Sequence, residues 1–219
     1  MPNYCMNRLE LSGDKTDIEK LLDFVGSKES VFDFNKIKPL PPSIRNTERG
    51  SLSFASEAVC LYLKEGKINN HLKWLMERNN VTEEELSAKI KTWEAEKRVN
   101  LSLGYRIIEN RKLYDGCGDW YEWCIVNWGT KWEACDLELS DGIITFETAW
   151  SPATPIVEKL ATSFPMLTFT YKYFEPGISL AGMNCYSKGS CVLSESYDYS
   201  EEAYIRIGNE FGFEFSEES

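Results

Sequence analysis

The chain of 219 residues carries 24 basic and 35 acidic side chains, so its formal net charge at pH 7 is −11. Hydrophobic residues make up 42% and charged residues 27% of the sequence, which excludes wholesale disorder, collagen and a small disulfide scaffold. The acidic balance disfavours a nucleic-acid partner, because binding a phosphate backbone needs clustered Lys and Arg. No apolar run approaches the ~20 residues of a membrane helix, and the N-terminus lacks the features of a signal peptide, so we expect no membrane partner and a cytoplasmic protein.

The first forty residues predict the order strand, helix, strand. Loose alternation of apolar residues predicts a strand over 3–11. Thr16 and Glu19 have the spacing of a capping box, and apolar residues at helical spacing predict a helix over 17–25. A second short strand is predicted over 31–37, and the proline-rich run after it ends the first half of the core.

The stretch from about residue 51 to residue 113 predicts helices with apolar stripes and charged outer faces. Thr82 and Glu85 form a further capping box there. No Gly/Ser-rich or Pro-rich tether bounds this stretch. We therefore predict that residues 41–118 are a helical insertion within one domain.

From Trp120 onward the sequence changes to runs rich in residues that favour β-strands. Between two of these runs, Ser151 followed by Pro152 predicts the start of a helix that Pro165 ends. A hairpin is predicted around residues 188–190, and the last apolar residues of the chain are compatible with either a helix or a strand.

With the insertion set aside, this order of elements is the split βαβ plan of an α+β, ferredoxin-like sandwich. We predict a single domain over 1–219 whose ferredoxin-like core comprises 1–40 and 119–196. The acidic C-terminal segment, 197–219, is either a solvated surface or a surface for a basic partner. Its last four residues, Ser216-Glu217-Glu218-Ser219, are expected to contribute little to folding because none of them is apolar.

The seven cysteines include no C-x-x-C pair, and their number is odd. This spacing predicts free thiols in a reducing compartment, with no disulfide, metal ion or cofactor. His71 is the sole histidine, which excludes a metal site built on two histidines, and no nucleophile elbow is present for a catalytic triad.

Five short segments of the sequence are distinctive: Pro2-Asn3 with Asn7; Phe34-Asn35-Lys36-Ile37 before Pro39 and Pro41; Asn127-Trp128-Gly129-Thr130-Lys131-Trp132; Phe146-Glu147-Thr148-Ala149-Trp150-Ser151-Pro152; and Glu175-Pro176-Gly177. Together they resemble the phage- and plasmid-borne YubB/Api-like family, whose members carry a ferredoxin-like domain. The resemblance implies an accessory protein of a mobile element in the host bacterial cytosol. It implies no catalytic residue.

Five of the seven tryptophans lie between residues 120 and 150, with carboxylates among them. Such a cluster is either an aromatic core or a core with an adjoining binding site. In a strand from Trp120 to Trp123 the rings would alternate between the two faces of the sheet, and the same alternation places Glu147 on the face opposite Phe146. The candidate binding residues, which lie around a predicted turn and along the next strand, are Asn127, Trp128, Lys131, Trp132, Glu147 and Trp150.

Two classes of function are compatible with these features. The first is a non-enzymatic binding or interaction protein of a phage or plasmid that captures a host protein or a small ligand, with action against a host defence as one such role. The second is a hydrolase or transferase that uses Glu122 and Glu147 as paired carboxylates beside tryptophan platforms. The poor inventory of catalytic groups favours the first class. The sequence leaves the oligomeric state open.

Overall fold

The computed structural model describes residues 3–215, so the predictions for Pro2 and for Ser216–Ser219 lie outside the described residues. The chain divides into two compact units. The sheet unit contains the chain up to Pro39 and from Cys124 onward, and the helical unit is Leu40–Trp123.

Strands and helices follow one another along the described chain with short connections. The strands are β1 (Tyr4–Ser12), β2 (Cys135–Ser140), β3 (Ile143–Ala149), β4 (Thr168–Glu175), β5 (Leu180–Ser187) and β6 (Ser190–Tyr197). The helices are α1 (Lys15–Val25), α2 (Phe34–Ile37), α3 (Pro42–Arg45), α4 (Ser51–Glu65), α5 (Asn70–Arg78), α6 (Glu83–Ala95), α7 (Leu101–Leu113), α8 (Trp120–Trp128), α9 (Thr154–Ser163) and α10 (Glu202–Glu210), and a 3₁₀ turn covers Pro176–Ile178.

Within the described residues the strands form one six-stranded sheet in the order β2-β3-β1-β4-β5-β6, and every neighbouring pair is antiparallel. β1 and β2 are parallel to each other with β3 between them, and β3 and β4 are parallel with β1 between them. These are the two interlocked split βαβ halves of a ferredoxin-like fold, so the predicted fold class is confirmed. The hairpin of β5 and β6 extends the sheet beyond β4.

One face of the sheet packs on a layer of helices. Alternate residues of β1 are buried, as the pleat of a strand requires when one face is covered. Phe34 of α2 lies 6.1 Å from Phe146 of β3, measured between ring centroids. Phe24 of α1 lies 5.6 Å from Phe164 at the end of α9. The predicted single sheet with both of these helices is confirmed.

The opposite face of the sheet is covered in part by α10 and the residues that follow it. Phe174 of β4 lies 5.1 Å from Tyr204 and 5.2 Å from Phe213, between ring centroids. Phe215 lies 5.8 Å from Tyr204. The acidic C-terminal segment therefore contains a helix with a buried apolar face, although most of its charges point to solvent.

Two predicted strands are helices in the structure. Residues 31–37 contain α2, because the side chain of Asp33 accepts a hydrogen bond from the backbone N–H of Asn35 at 2.8 Å and begins a helical turn. α8 occupies Trp120–Trp128, because Asp119 accepts a hydrogen bond from the backbone N–H of Glu122 at 2.9 Å and caps the helix. The expectation that strand alternation separates the rings of this stretch was therefore wrong.

Several local predictions are confirmed and two cap assignments are corrected. The Thr82–Glu85 capping box is present, and residues 188 and 189 form the predicted hairpin turn with φ of 52° and 79°. α1 is capped by Asp14, which accepts from the N–H of Thr16 at 2.9 Å, so Thr16 is a helical residue. α9 begins at Thr154.

The helical unit has its own core, which includes Val59, Leu72, Leu86, Ile90 and Trp93. Gly104 lets α7 approach α4 closely, since a Cβ atom at this position would lie 2.3 Å from the carbonyl oxygen of Ser56. The helices of the described chain are each too short or too polar to cross a membrane.

We predict that the C-terminal aromatic residues, and not the last four residues, stabilise the sheet unit. Truncation after Gly212 removes Phe213 and Phe215 from the cluster around Phe174 and should lower the free energy of unfolding by about 2–4 kcal/mol in urea titrations. Truncation after Phe215 is the matched control and should leave it nearly unchanged. Equal stability of the two truncated proteins would contradict the prediction.

Candidate functional site

A buried polar network joins the three central strands of the sheet unit. The amide Nδ2 of Asn7 donates to the carbonyl oxygen of Cys5 at 2.7 Å and to Oγ1 of Thr148 at 2.9 Å. Its Oδ1 accepts from the hydroxyl of Tyr171 at 2.5 Å. All four residues are almost completely buried, and burial raises the pKa of Tyr171 well above its usual value. The hydroxyl therefore stays protonated and donates.

The network continues to the end of the sheet where β3 leaves it. Thr148 donates to the carbonyl oxygen of Ser151 at 2.7 Å, and Thr130 donates to that of Ala149 at 3.0 Å. Ser151 in turn donates to the carbonyl oxygen of Gly129 at 2.6 Å. Segments 129–130 and 149–151 are thereby tied together, which brings Lys131 and Trp132 beside the end of β3. The Ser151 hydroxyl, predicted to cap a helix, has this bridging role instead.

Trp128 belongs to the core of the sheet unit. It is 3% exposed, its Nε1 donates to the carbonyl oxygen of Lys38 at 2.9 Å, and its ring centroid lies 5.7 Å from that of Phe34. Asn127, which precedes it on α8, is half-buried and engaged in interactions of its own. Neither residue presents a free side chain to a partner.

Trp150 is placed differently. It is 43% exposed, and its backbone φ of 70° lies in the left-handed region that bulky residues avoid. The backbone N–H of Trp150 donates to the carbonyl oxygen of Asn3 at 3.0 Å, which holds this conformation at the start of β1. An exposed indole is therefore fixed on a backbone that costs about 1–2 kcal/mol to adopt.

Further side chains lie at the same end of the sheet as Trp150. Lys131 and Trp132 are half-buried, and the Nζ of Lys131 lies 3.9 Å from the ring centroid of Trp132, a cation–π contact. Tyr4 is exposed and pairs with Ala149 in the sheet. Ile178 is exposed and follows Gly177, whose backbone abuts the side chain of Asn3. We call Tyr4, Lys131, Trp132, Trp150 and Ile178 the Trp150 surface.

Sequence reasoning missed two members of this surface. Strand pairing and the 3₁₀ turn after β4 bring Tyr4 and Ile178 to the same end of the sheet as Trp150. The carboxylate of Glu175 is buried and shapes that turn, because it accepts from the N–H groups of Gly177 at 3.1 Å and Ile178 at 2.8 Å. The sequence Glu175-Pro176-Gly177 signals the turn but not its neighbours.

Glu147 lies on the face of β3 opposite Phe146, as the alternation predicted, but it faces another carboxylate. Burial, the negative charge of Asp136 and a hydrogen bond with Asp136 raise the pKa of Glu147. The two carboxylates line a cleft of about 270 Å³ between the sheet and the end of α10, with Arg8 and Glu210 also at its wall. The pair holds a proton more readily than an isolated glutamate would.

Cys135, Asp136 and Glu147 offer ligand atoms within 4.8 Å of one another, and they are the described residues that could hold a metal ion. Burial and the two nearby carboxylates raise the pKa of the Cys135 thiol. A metal ion there would have to displace this proton, because the thiolate is the form that binds metals. No motif in the sequence signals this group, because the pairing of β2 with β3 assembles it.

Glu122 lies in the helical unit, where its carboxylate forms ion pairs with two arginines. Burial acts to raise its pKa, but hydrogen bonds from Arg111 and from the backbone N–H of Gly118 outweigh burial, so the pKa of Glu122 is lowered. Its oxygens lie 2.7 Å from Arg111 and 3.3 Å from Arg49. A carboxylate held by two guanidinium groups stays ionised and is unsuited to donate a proton as a general acid.

The sheet unit is a ferredoxin-like domain with an exposed tryptophan at one end of its sheet, and a family model describes part of the chain as such a domain. The family model described as a ferredoxin-like domain in Api92-like protein matches residues 127–215. This match covers the chain from the last two residues of α8 to the end of the described residues. The expected resemblance to Api-like proteins is confirmed for this part of the chain.

A solved structure of protein Api92 from Yersinia pseudotuberculosis is similar to this chain. The two sequences are 14% identical, and the alignment covers 92% of this chain and 100% of the other, with a TM-score of 0.47. No curated protein matches the sequence.

We predict that substitutions at two tryptophans of the candidate site change the free energy of unfolding for different physical reasons. Trp128→Ala should lower the free energy of unfolding by about 3–5 kcal/mol, because it leaves a cavity in the core. Trp150→Gly should be more stable than Trp150→Ala by about 1 kcal/mol, because glycine relieves the left-handed strain that alanine retains. Chemical denaturation of the three variants measures both effects. A Trp150→Ala protein at least as stable as Trp150→Gly would show that no such strain exists.

Proposed function

We propose that this chain is a non-enzymatic binding protein of a phage or plasmid, which acts in the bacterial cytoplasm by capturing a host protein through the Trp150 surface. A component of a host defence is the expected class of partner. The observation that carries the proposal is the exposed indole of Trp150 on a strained but firmly bonded backbone.

Strain of this kind supports a role in binding. Backbone strain persists where the surrounding structure determines it, and it concentrates at functional sites. Folding gains little from a tryptophan that is nearly half exposed, whereas a rigid tryptophan is a frequent anchor of protein interfaces. Tyr4 and Ile178 add exposed apolar area at the same end of the sheet, and Lys131 supplies a positive charge there.

The mobile-element setting rests on the sequence resemblance to the YubB/Api-like family. The segments that carry this resemblance include those that build the Trp150 surface: Asn3 holds the backbone of Trp150, and residues 127–132 and 146–152 are tied together beside it. A function of the family located at this end of the sheet would account for both observations.

The alternative of a two-carboxylate enzyme has weaker support. Glu122 has its oxygens occupied by Arg111 and Arg49 within the helical unit. Glu147 has Asp136 as its carboxylate neighbour. The residues that the alternative requires therefore have separate local roles.

The test is quantitative affinity capture from bacterial lysate with the full chain, analysed by mass spectrometry. Trp150→Gly removes the indole and keeps the backbone, and Tyr105→Ala is the matched control because Tyr105 is an aromatic residue of the helical unit that is 45% exposed. A partner should be captured equally by the wild type and by Tyr105→Ala. Its capture should fall about tenfold or more with Trp150→Gly, as expected for an anchor worth about 2 kcal/mol.

Capture that is identical for all three proteins would refute a role for the Trp150 surface. Capture of no specific protein by the wild type would refute the binding function itself. Thermal unfolding of each variant establishes that the comparison is made between folded proteins.

A further inference from the structure

The helical unit contains a half-enclosed pocket of about 420 Å³ between the N-terminal halves of α4 and α5. This volume lies within the range of small-molecule sites. Phe54, His71 and Trp74 form its aromatic walls, and Ala55 and Leu75 add apolar surface that continues into the core of the unit. The pocket is distinct from the Trp150 surface, which lies in the sheet unit.

The aromatic walls of this pocket are a stacked pair of rings and an exposed indole. The rings of Phe54 and His71 are nearly parallel, with an angle of 7° between their planes and 5.3 Å between their centroids. Trp74, one turn after His71 on α5, is 53% exposed. Aromatic faces of this kind bind other planar rings by stacking.

The charges around the pocket favour an anion. Arg78 does not itself line the pocket, but its guanidinium lies 5.1 Å from the ring centroid of Trp74, which does, and it forms no ion pair within the described residues. Arg49 lies over Phe54, but its charge is compensated by Asp119 at 3.0 Å and by Glu122. Among the residues that the structure describes, none of those lining the pocket is acidic, in a chain whose net charge is −11.

The N-terminus of α4 adds partial positive charge near the pocket. Gly50 occupies the N-cap position and supplies no side-chain acceptor, so the first backbone N–H groups of a 15-residue helix have no side-chain cap. Ser51, the first residue of this helix, lines the pocket. The partial positive charge of a helix N-terminus favours a negatively charged group nearby.

From these features together, we propose that the pocket between α4 and α5 binds a planar aromatic ring bearing an anionic group. The ring stacks on the exposed indole of Trp74, beside the stacked pair of Phe54 and His71. The anionic group faces Arg78 or the N-terminus of α4. This small-molecule site is independent of the proposed protein-binding function.

The test uses the sole histidine as a reporter, because the ring signals of His71 in ¹H–¹³C NMR come from the pocket and from nowhere else in the chain. The full chain is titrated with 2-naphthoate, 2-naphthamide and 2-naphthylmethylamine, which carry one ring system with negative, neutral and positive substituents. Acetate is the anion without a ring. We expect saturable shifts with 2-naphthoate at a Kd about tenfold lower than that for 2-naphthamide, weaker binding of the amine, and no shift with acetate.

Variants separate the parts of the proposal. Trp74→Ala should weaken all three aromatic ligands, and Arg78→Gln should reduce the preference for 2-naphthoate over 2-naphthamide. Trp150→Gly should leave every Kd unchanged, whereas it lowers protein capture about tenfold or more if the proposed function holds, so that the two proposals fail separately. Equal affinity for the three ligands would overturn the assignment of an anion. His71 signals that do not move, or binding unaffected by Trp74→Ala, would overturn the site.

Discussion

The buried amide of Asn7 fixes how the three central strands of the sheet meet. Its donors reach Cys5 on its own strand and Thr148 on β3, and its acceptor receives the hydroxyl of Tyr171 on β4. A buried amide without these partners would cost about 1–3 kcal/mol for each lost bond. A register shift by one residue would move Asn7 to the other face and leave all of these groups unpaired, so the network specifies the register as well as stabilising it.

The same network supports the exposed end of the sheet. The hydroxyl of Thr148 donates to the carbonyl oxygen of Ser151, and the hydroxyl of Ser151 donates to that of Gly129. The backbone on both sides of Trp150 is therefore held by hydrogen bonds. Functional side chains are most effective when rigid elements hold them, because less conformational entropy is lost on binding. The core thus positions a tryptophan that contributes little to the core itself.

Local chemistry in the sequence predicted the elements that depend on neighbouring residues, such as the capping box of Thr82 and the hairpin turn at 188–190. It failed at α8, where aromatic and β-branched residues favour a strand in isolation but a cap by Asp119 and burial of Trp128 favour a helix. The candidate residues near β3 were identified as a group. The sequence could not predict that Trp128 is buried in the core and that Trp150 is exposed, because this difference depends on strand pairing between positions that are far apart in sequence.

The most direct test of this account is native-state hydrogen exchange at the backbone amide of Trp150 in the wild type and in Thr148→Val, which removes the hydroxyl and keeps the shape of the side chain. The account predicts that this amide is protected like those of β1 in the wild type. In the variant it should exchange about tenfold faster or more, relative to amides of β5, as expected for loss of a bond worth about 1.4 kcal/mol. An amide that is unprotected in the wild type, or equally protected in both proteins, would contradict the claim that the buried network holds Trp150.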